Sequence, residues 1–209
     1  LEHIDSMSKS GSGDLLQSSL FAVLTLLARL HPSPMTEADG NLRPDAFIPY
    51  VLSCASQRSF RIREVAAQAL VPLAPEDRLP QICLQLLSNL PTSQPLIDSN
   101  AAHGYLFMLH QILEQHPTIS LPSEFYSALQ ERLWIAADQC APVGLLMLRI
   151  ISHFVFITDS DAPDPLVSDA LCAARAALQV SFQAGPNLRA MESLRAEKAA
   201  LIAVTAALI

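Results

Sequence analysis

The chain has 209 residues, 51% hydrophobic, 16% charged and 6% aromatic, with 20 acidic against 13 basic side chains and a net charge of -7. That balance excludes a molecule acting as a whole as an electrostatic sink for nucleic acid. A charged fraction well below the roughly one quarter of free soluble domains predicts apolar surface covered by further protein.

The first residues, 1–13, are a polar, Ser/Gly-rich lead-in expected to be flexible, and 14–209 read as helical repeats. Asp14 opens a helix to about Leu30, closed by the His31-Pro32-Ser33-Pro34 turn. Asp45 caps a short helix to about Ala55; Phe60 to Leu73 and Glu76 to Leu90 follow, the latter ended by Pro91. Ser99 or Asn100 caps a helix to about His116, where Pro117 stops it. Ser123 opens the next, with Glu124 in its first turn and Leu121, Phe125, Leu129 and Leu133 forming a stripe spaced by four. Pro142 and Pro165 begin two more, and Gly185-Pro186 precedes a last helix that runs into the apolar stretch Ala199–Ile209 without a glycine cap or closing proline. Those ends predict an excerpt of a longer array. The longest apolar run, Pro142 to Thr158, contains Arg149 and His153 and is short of the about 20 residues a membrane span needs, so a buried helix is expected and no membrane contact.

Helical apolar spacing recurs throughout, with no alternating strand-like run. Short loops between some nine helices predict an all-α fold, an α-solenoid of HEAT/armadillo-like antiparallel hairpins starting irregularly near Asp45, Glu76, Ser123 and Pro165. The segment Phe60-Arg61-Ile62-Arg63-Glu64-Val65-Ala66-Ala67-Gln68-Ala69-Leu70 sharpens this. It sets Ile62, Ala66, Ala69, Leu70 and Leu73 on one face, with small residues that let a neighbouring helix approach closely, as in the second helix of a HEAT or armadillo unit.

Signatures of chemistry are missing. The sequence has no G-x-S-x-G elbow, no phosphate-binding P-loop and no G-x-G-x-x-G, and Gly11-Ser12-Gly13 follows no strand. His103 and His110 stand two helical turns apart, about 10 Å, too far to share a metal. The acidic group Asp159, Ser160, Asp161 and Asp164 lacks the glycine and glutamate of a calcium loop. The cysteines Cys54, Cys83, Cys140 and Cys172 are scattered in apolar segments without a C-x-x-C pair, which predicts buried reduced thiols in the cytosol or nucleus rather than zinc. No catalytic, cofactor-binding or metal residue is assigned. Arg58, Arg61 and Arg63 form the concentrated positive patch. Arg61 and Arg63, two apart, do not share a helix face, so one can pack in the repeat while the other reaches solvent.

Three ordered segments resemble the thyroid adenoma-associated protein family: Ser19-Leu20-Phe21-Ala22-Val23-Leu24-Thr25-Leu26-Leu27-Ala28-Arg29-Leu30, the stretch Phe60 to Pro72, and Ser99-Asn100-Ala101-Ala102-His103-Gly104-Tyr105-Leu106, which is similar to that family's Asn-x-x-His-Gly segment. The resemblance implies a large cytoplasmic helical-repeat protein, the non-catalytic partner of an RrmJ-like, AdoMet-dependent tRNA 2′-O-methyltransferase that directs methylation to an anticodon-loop ribose. It places Arg61 and Arg63 in the repeat-arginine segment and Asn100, His103 and Gly104 in the Asn-x-x-His-Gly segment. With Arg58 these are the candidate contacts to the methyltransferase or to tRNA. The family's Arg-Arg-Ser-Ala-Gly stretch is absent here. A general protein–protein adaptor with no RNA role is the alternative, and the two differ in whether tRNA and a methyltransferase are retained.

Overall fold

The computed structural model describes residues 13–30, 44–96 and 98–156, together with Ser168, Asp169, Cys172, Ala173, Arg175 and Ala176. Seven α-helices follow in order: α1 Gly13–Leu27, α2 Ile48–Ser53, α3 Phe60–Leu73, α4 Leu79–Ser88, α5 Ser99–Gln115, α6 Ser123–Gln130 and α7 Ala141–Phe156, with no strand among the described residues. Of the expected helix from Pro165, Ser168, Asp169, Cys172, Ala173, Arg175 and Ala176 are described, all in helical conformation; the helix from Pro186, the lead-in before Gly13, the loop after Leu30 and the acidic cluster lie outside the described residues.

Proline and helix-end chemistry explain where the helices differ from expectation. The segment from Asp45 to Ala55 is broken into a 3-10 turn at Pro44–Phe47, the short α2 and a second 3-10 turn at Cys54–Ser56. Likewise, the stretch beginning at Glu76 starts as a 3-10 turn, Glu76–Arg78, and becomes α-helical at Leu79 with Pro80 in the first turn, where its missing N–H costs nothing. Helix α6 stops at Gln130, and Leu133 falls in a 3-10 turn, Leu133–Ala137. The stripe survives the break, since Phe125, Leu129 and Leu133 are all buried. The cap of α5 is neither Ser99 nor Asn100 but Asp98, whose side chain accepts from the N–H groups of Asn100 and Ala101 at 3.0 and 2.9 Å. A carboxylate there also meets the positive end of the helix dipole.

The elements form two layers of a solenoid. In one, α1 packs on α3, α3 on α5 and α5 on α7. In the other, α2 lies against α3, α4 against α5 and α6, and the Leu133–Ala137 turn against α7. One apolar cluster runs through both, from Leu24 through Leu70, Leu87, Leu109 and Phe125 to Ile151. Helix α3 buries Ile62, Ala66, Ala69, Leu70 and Leu73 as its spacing predicts, and the alanines are fully enclosed. Each large aliphatic side chain so placed contributes about 1.5–3 kcal/mol.

Helix α7 covers the apolar run expected to be a buried helix, and among the described residues no helix is long and apolar enough to cross a membrane. Two cysteines depart from expectation: Cys54 and Cys83 are buried, but Cys140 is half-buried and Cys172 exposed. Burial raises the Cys54 thiol and pushes that of Cys83 up to about 12, so both stay protonated.

Candidate functional site

The two segments with candidate contacts, residues 58–63 and 100–104, meet where the α2–α3 hairpin abuts α5. Helix α3 starts after the extended residue Ser59, which puts Arg63 one turn in, on the side of Ala66 and Leu70. Its side chain cannot stay there unpaired, because a buried guanidinium must spend its donors on acceptors. It turns back toward the hairpin loop, where Nη1 donates to the carbonyls of Gln57 (2.6 Å) and Arg58 (3.1 Å). It also reaches across to α5, with Nη1 donating to Asn100 Oδ1 (2.9 Å) and Nε to His103 Nδ1 (3.4 Å). Because Asp98 caps the helix, the Asn100 amide is free for this role.

His103, 5% exposed, accepts at Nδ1 and so carries its proton on Nε2. Burial, reinforced by the Arg63 charge, lowers its pKa from the ordinary 6.5 to about 4. The ring stacks on Phe107, centroids 5.8 Å apart and nearly parallel, and meets the edge of Phe60 at 5.4 Å. One residue on, Gly104 lets the α5 backbone rest directly on the Cys54–Ser56 turn. A Cβ there would stand 2.1 Å from the Ala55 carbonyl oxygen.

The Asn-x-x-His-Gly segment is thus a junction between hairpins. Asn100 and His103 anchor the arginine of the neighbouring unit, and Gly104 sets the distance. Of the six candidate contacts, Arg63, His103 and Gly104 are buried, whereas Arg58, Arg61 and Asn100 are exposed. The inward side of α3 claims Arg63 and leaves Arg61 to solvent.

A second junction of the same kind went unread in the sequence. Arg132, 6% exposed, donates from Nε to Leu90 O (3.0 Å), just past α4, and from Nη1 to Ala128 O (2.8 Å). Gly144 of α7 lies against the Leu133–Ala137 turn, where a Cβ would be 2.8 Å from Ala136 O. A glycine amid the apolar residues of α7 is the signal that could have pointed to it. The histidine His110 pairs with Glu114 at 3.7 Å, and among the described residues no group of three His, Cys, Asp or Glu could hold a metal ion.

The neutral His103 makes stability depend on acid. The unfolded chain takes up a proton near pH 6.5, which the folded chain accepts only near pH 4. Stability therefore falls as pH drops through that window and levels off below it. His110 and His153 are lowered too, chiefly by burial, so the variant isolates the part due to His103. Melting temperature followed from pH 7 to 4.5 is expected to drop less steeply in His103→Gln than in wild type. Parallel curves would show that His103 titrates alike in both states.

The model of the family described as the C-terminal TPR repeats of Trm732 matches residues 1–112. TPR units, like HEAT units, are built from paired helices. Among curated proteins, the chain is similar to the tRNA (32-2′-O)-methyltransferase regulator THADA of mouse (30% identity over 131 residues, 57% of this chain and 7% of the relative). It is similar also to that of dog (34% over 116 residues, 54% and 6%) and of human (30% over 131 residues, 58% and 7%). The chain thus spans less than a tenth of the length of these relatives. No solved structure matches it.

Proposed function

The chain belongs to the family of Trm732 C-terminal TPR repeats, and from that premise we propose that it is a non-catalytic scaffold segment in tRNA anticodon-loop ribose 2′-O-methylation. In this reading it supports an RrmJ-like methyltransferase partner, tRNA, or both, in the cytoplasm. The observation that carries it is the use made of the most reactive-looking side chains. Arg63 is bound to Asn100 and to His103 across a repeat junction, which is work for a scaffold, while Arg58 and Arg61 remain exposed. The names of the relatives, regulators of a tRNA methyltransferase, agree with a supporting role.

The test is a pull-down of the full-length protein from cell extract, with RNA sequencing and mass spectrometry of the eluate. Enrichment of a subset of tRNAs together with a 2′-O-methyltransferase is expected. In the same assay Arg58→Glu with Arg61→Glu should reduce tRNA recovery several-fold at unchanged melting temperature, since both side chains point to solvent and each phosphate contact is electrostatic. Equal recovery by the double variant would remove these arginines from the contact surface.

An adaptor that binds only proteins has one observation in its favour. Val23 and Leu26 on α1 are 51% and 69% exposed, an apolar stripe of the sort protein partners cover. Recovery of other proteins without tRNA or methyltransferase would favour that reading.

A further inference from the structure

We propose that the corner where the Gln57–Ser59 loop enters α3 is a stacking platform for an unpaired nucleobase, with Phe60 as the platform and Arg58 and Arg61 as the flanking phosphate contacts. This deepens the RNA half of the function proposed above and rests on it. Phe60 is 50% exposed although it is one of the large apolar side chains. It is not loose. Its inner side is held by the edge contact with His103 at 5.4 Å, by Phe107 at 6.3 Å and by the Arg63 guanidinium 6.0 Å from the ring centroid. The junction that buries Arg63 and His103 therefore also fixes an aromatic ring that keeps half its surface in water.

A ring immobilised in this way has already lost its rotamer freedom, so a flat ligand that covers it gains apolar contact with little further ordering cost. Arg58 stands two residues before it and Arg61 one after, both exposed. The stretch from Gln57 to Arg63 carries three arginines, of which Arg63 is buried, and Glu64 follows it, in a chain whose net charge is -7. Asp98, the acid whose charge Arg63 feels, is occupied by the N–H groups at the start of α5. An aromatic face flanked by guanidinium groups is the chemistry that holds single-stranded nucleic acid, in which bases are unstacked and phosphates accessible. A duplex offers no base face to such a ring, so the ligand class is a loop or single strand. The positive charge favours an anionic ligand over a neutral apolar peptide.

The experiment is a fluorescence-anisotropy titration of the full-length protein with a labelled seven-nucleotide single-stranded RNA at two salt concentrations, comparing wild type, Phe60→Leu, Phe60→Trp and Arg58→Gln with Arg61→Gln. Phe60→Leu should weaken binding about 5- to 100-fold, the range for loss of one stacked base. Phe60→Trp should keep it, and the arginine pair should flatten the salt dependence. Tight binding by wild type and Phe60→Leu alike would overturn the platform and leave the tRNA reading intact. Loss of binding by both Phe60 variants, with equal loss of melting temperature, would assign Phe60 to packing and overturn it too. No RNA bound by wild type, with the methyltransferase still retained in the pull-down, would overturn the platform together with the RNA half of the function and leave the protein scaffold standing. Displacement of the labelled RNA by an acidic peptide at concentrations well below those at which unlabelled RNA displaces it would reassign the corner to a protein partner.

Discussion

Gly104→Ala is expected to destabilise the chain by about 3 kcal/mol, the upper part of the usual range for overpacking. Helix propensity alone predicts the opposite sign, because alanine is better than glycine inside a helix by about 1 kcal/mol. The contact decides. The new methyl group would stand 2.1 Å from the Ala55 carbonyl oxygen and 2.6 Å from that residue's carbonyl carbon and Cα, all backbone atoms. A flexible side chain could swing away, but here either α5 must lift off the Cys54–Ser56 turn or the turn must move. Either shift stretches the bonds from Arg63 to Asn100 and His103. Gly144→Ala supplies the graded comparison, since its Cβ would meet the Ala136 oxygen at 2.8 Å, and a smaller loss of about 1–2 kcal/mol is expected. Urea unfolding of the chain and its two variants measures both. A Gly104→Ala protein as stable as wild type, or more so, would mean that α5 does not lie this close to the turn.

Removal of the Arg63 side chain is the second large effect. Arg63→Met keeps most of the apolar stem but deletes the donors that serve the Gln57 and Arg58 carbonyls, Asn100 Oδ1 and His103 Nδ1. An acceptor left unpaired away from water costs about 1–3 kcal/mol. Several of these sites are only partly buried, so the sum is expected near 3 kcal/mol rather than the full total. Arg63→Lys should recover little, because one ammonium on a flexible stem cannot face the loop and α5 at once as the planar guanidinium does. Pairing Arg63→Met with Asn100→Ala should give less than the sum of the single losses, the mark of residues in one network. Arg61→Met should cost under about 0.5 kcal/mol, as surface changes do. If Arg63→Met matched Arg61→Met in denaturant, Arg63 would not be the tie between these hairpins.

Helix α3 was legible from Phe60 to Leu73 because its apolar spacing is regular and its small residues sit where a neighbour must come close. The sorting of Arg61 from Arg63 was half legible. Spacing says that they face apart, and the position of Arg63 three before Ala66 and seven before Leu70 says which one faces inward. The cap of α5 was misplaced by one or two residues because Asp98, Ser99 and Asn100 are all good capping residues, and only tertiary demand on Asn100 breaks the tie. The 3-10 turns were not legible, since propensities do not distinguish a tightened turn from an α-helical one. The second junction was hidden for a different reason. Arg132 reaches Leu90 and Gly144 reaches Ala136, and neither pairing leaves a local pattern. What the residues around Gly104 do could be sensed from the glycine itself, but its partner at Ala55 belongs to another hairpin.

The two arginine-and-glycine junctions also bear on how the molecule bends. Apolar faces slide over one another at small cost, because greasy contacts are non-directional. Directed bonds from Arg63 and Arg132, and a helix backbone seated on a carbonyl at Gly104 and again at Gly144, allow one rotation of each hairpin over the last. In a stacked array that rotation, repeated, sets the curvature. A few polar atoms, more than the apolar area, accordingly restrict how each hairpin can turn on the one before it.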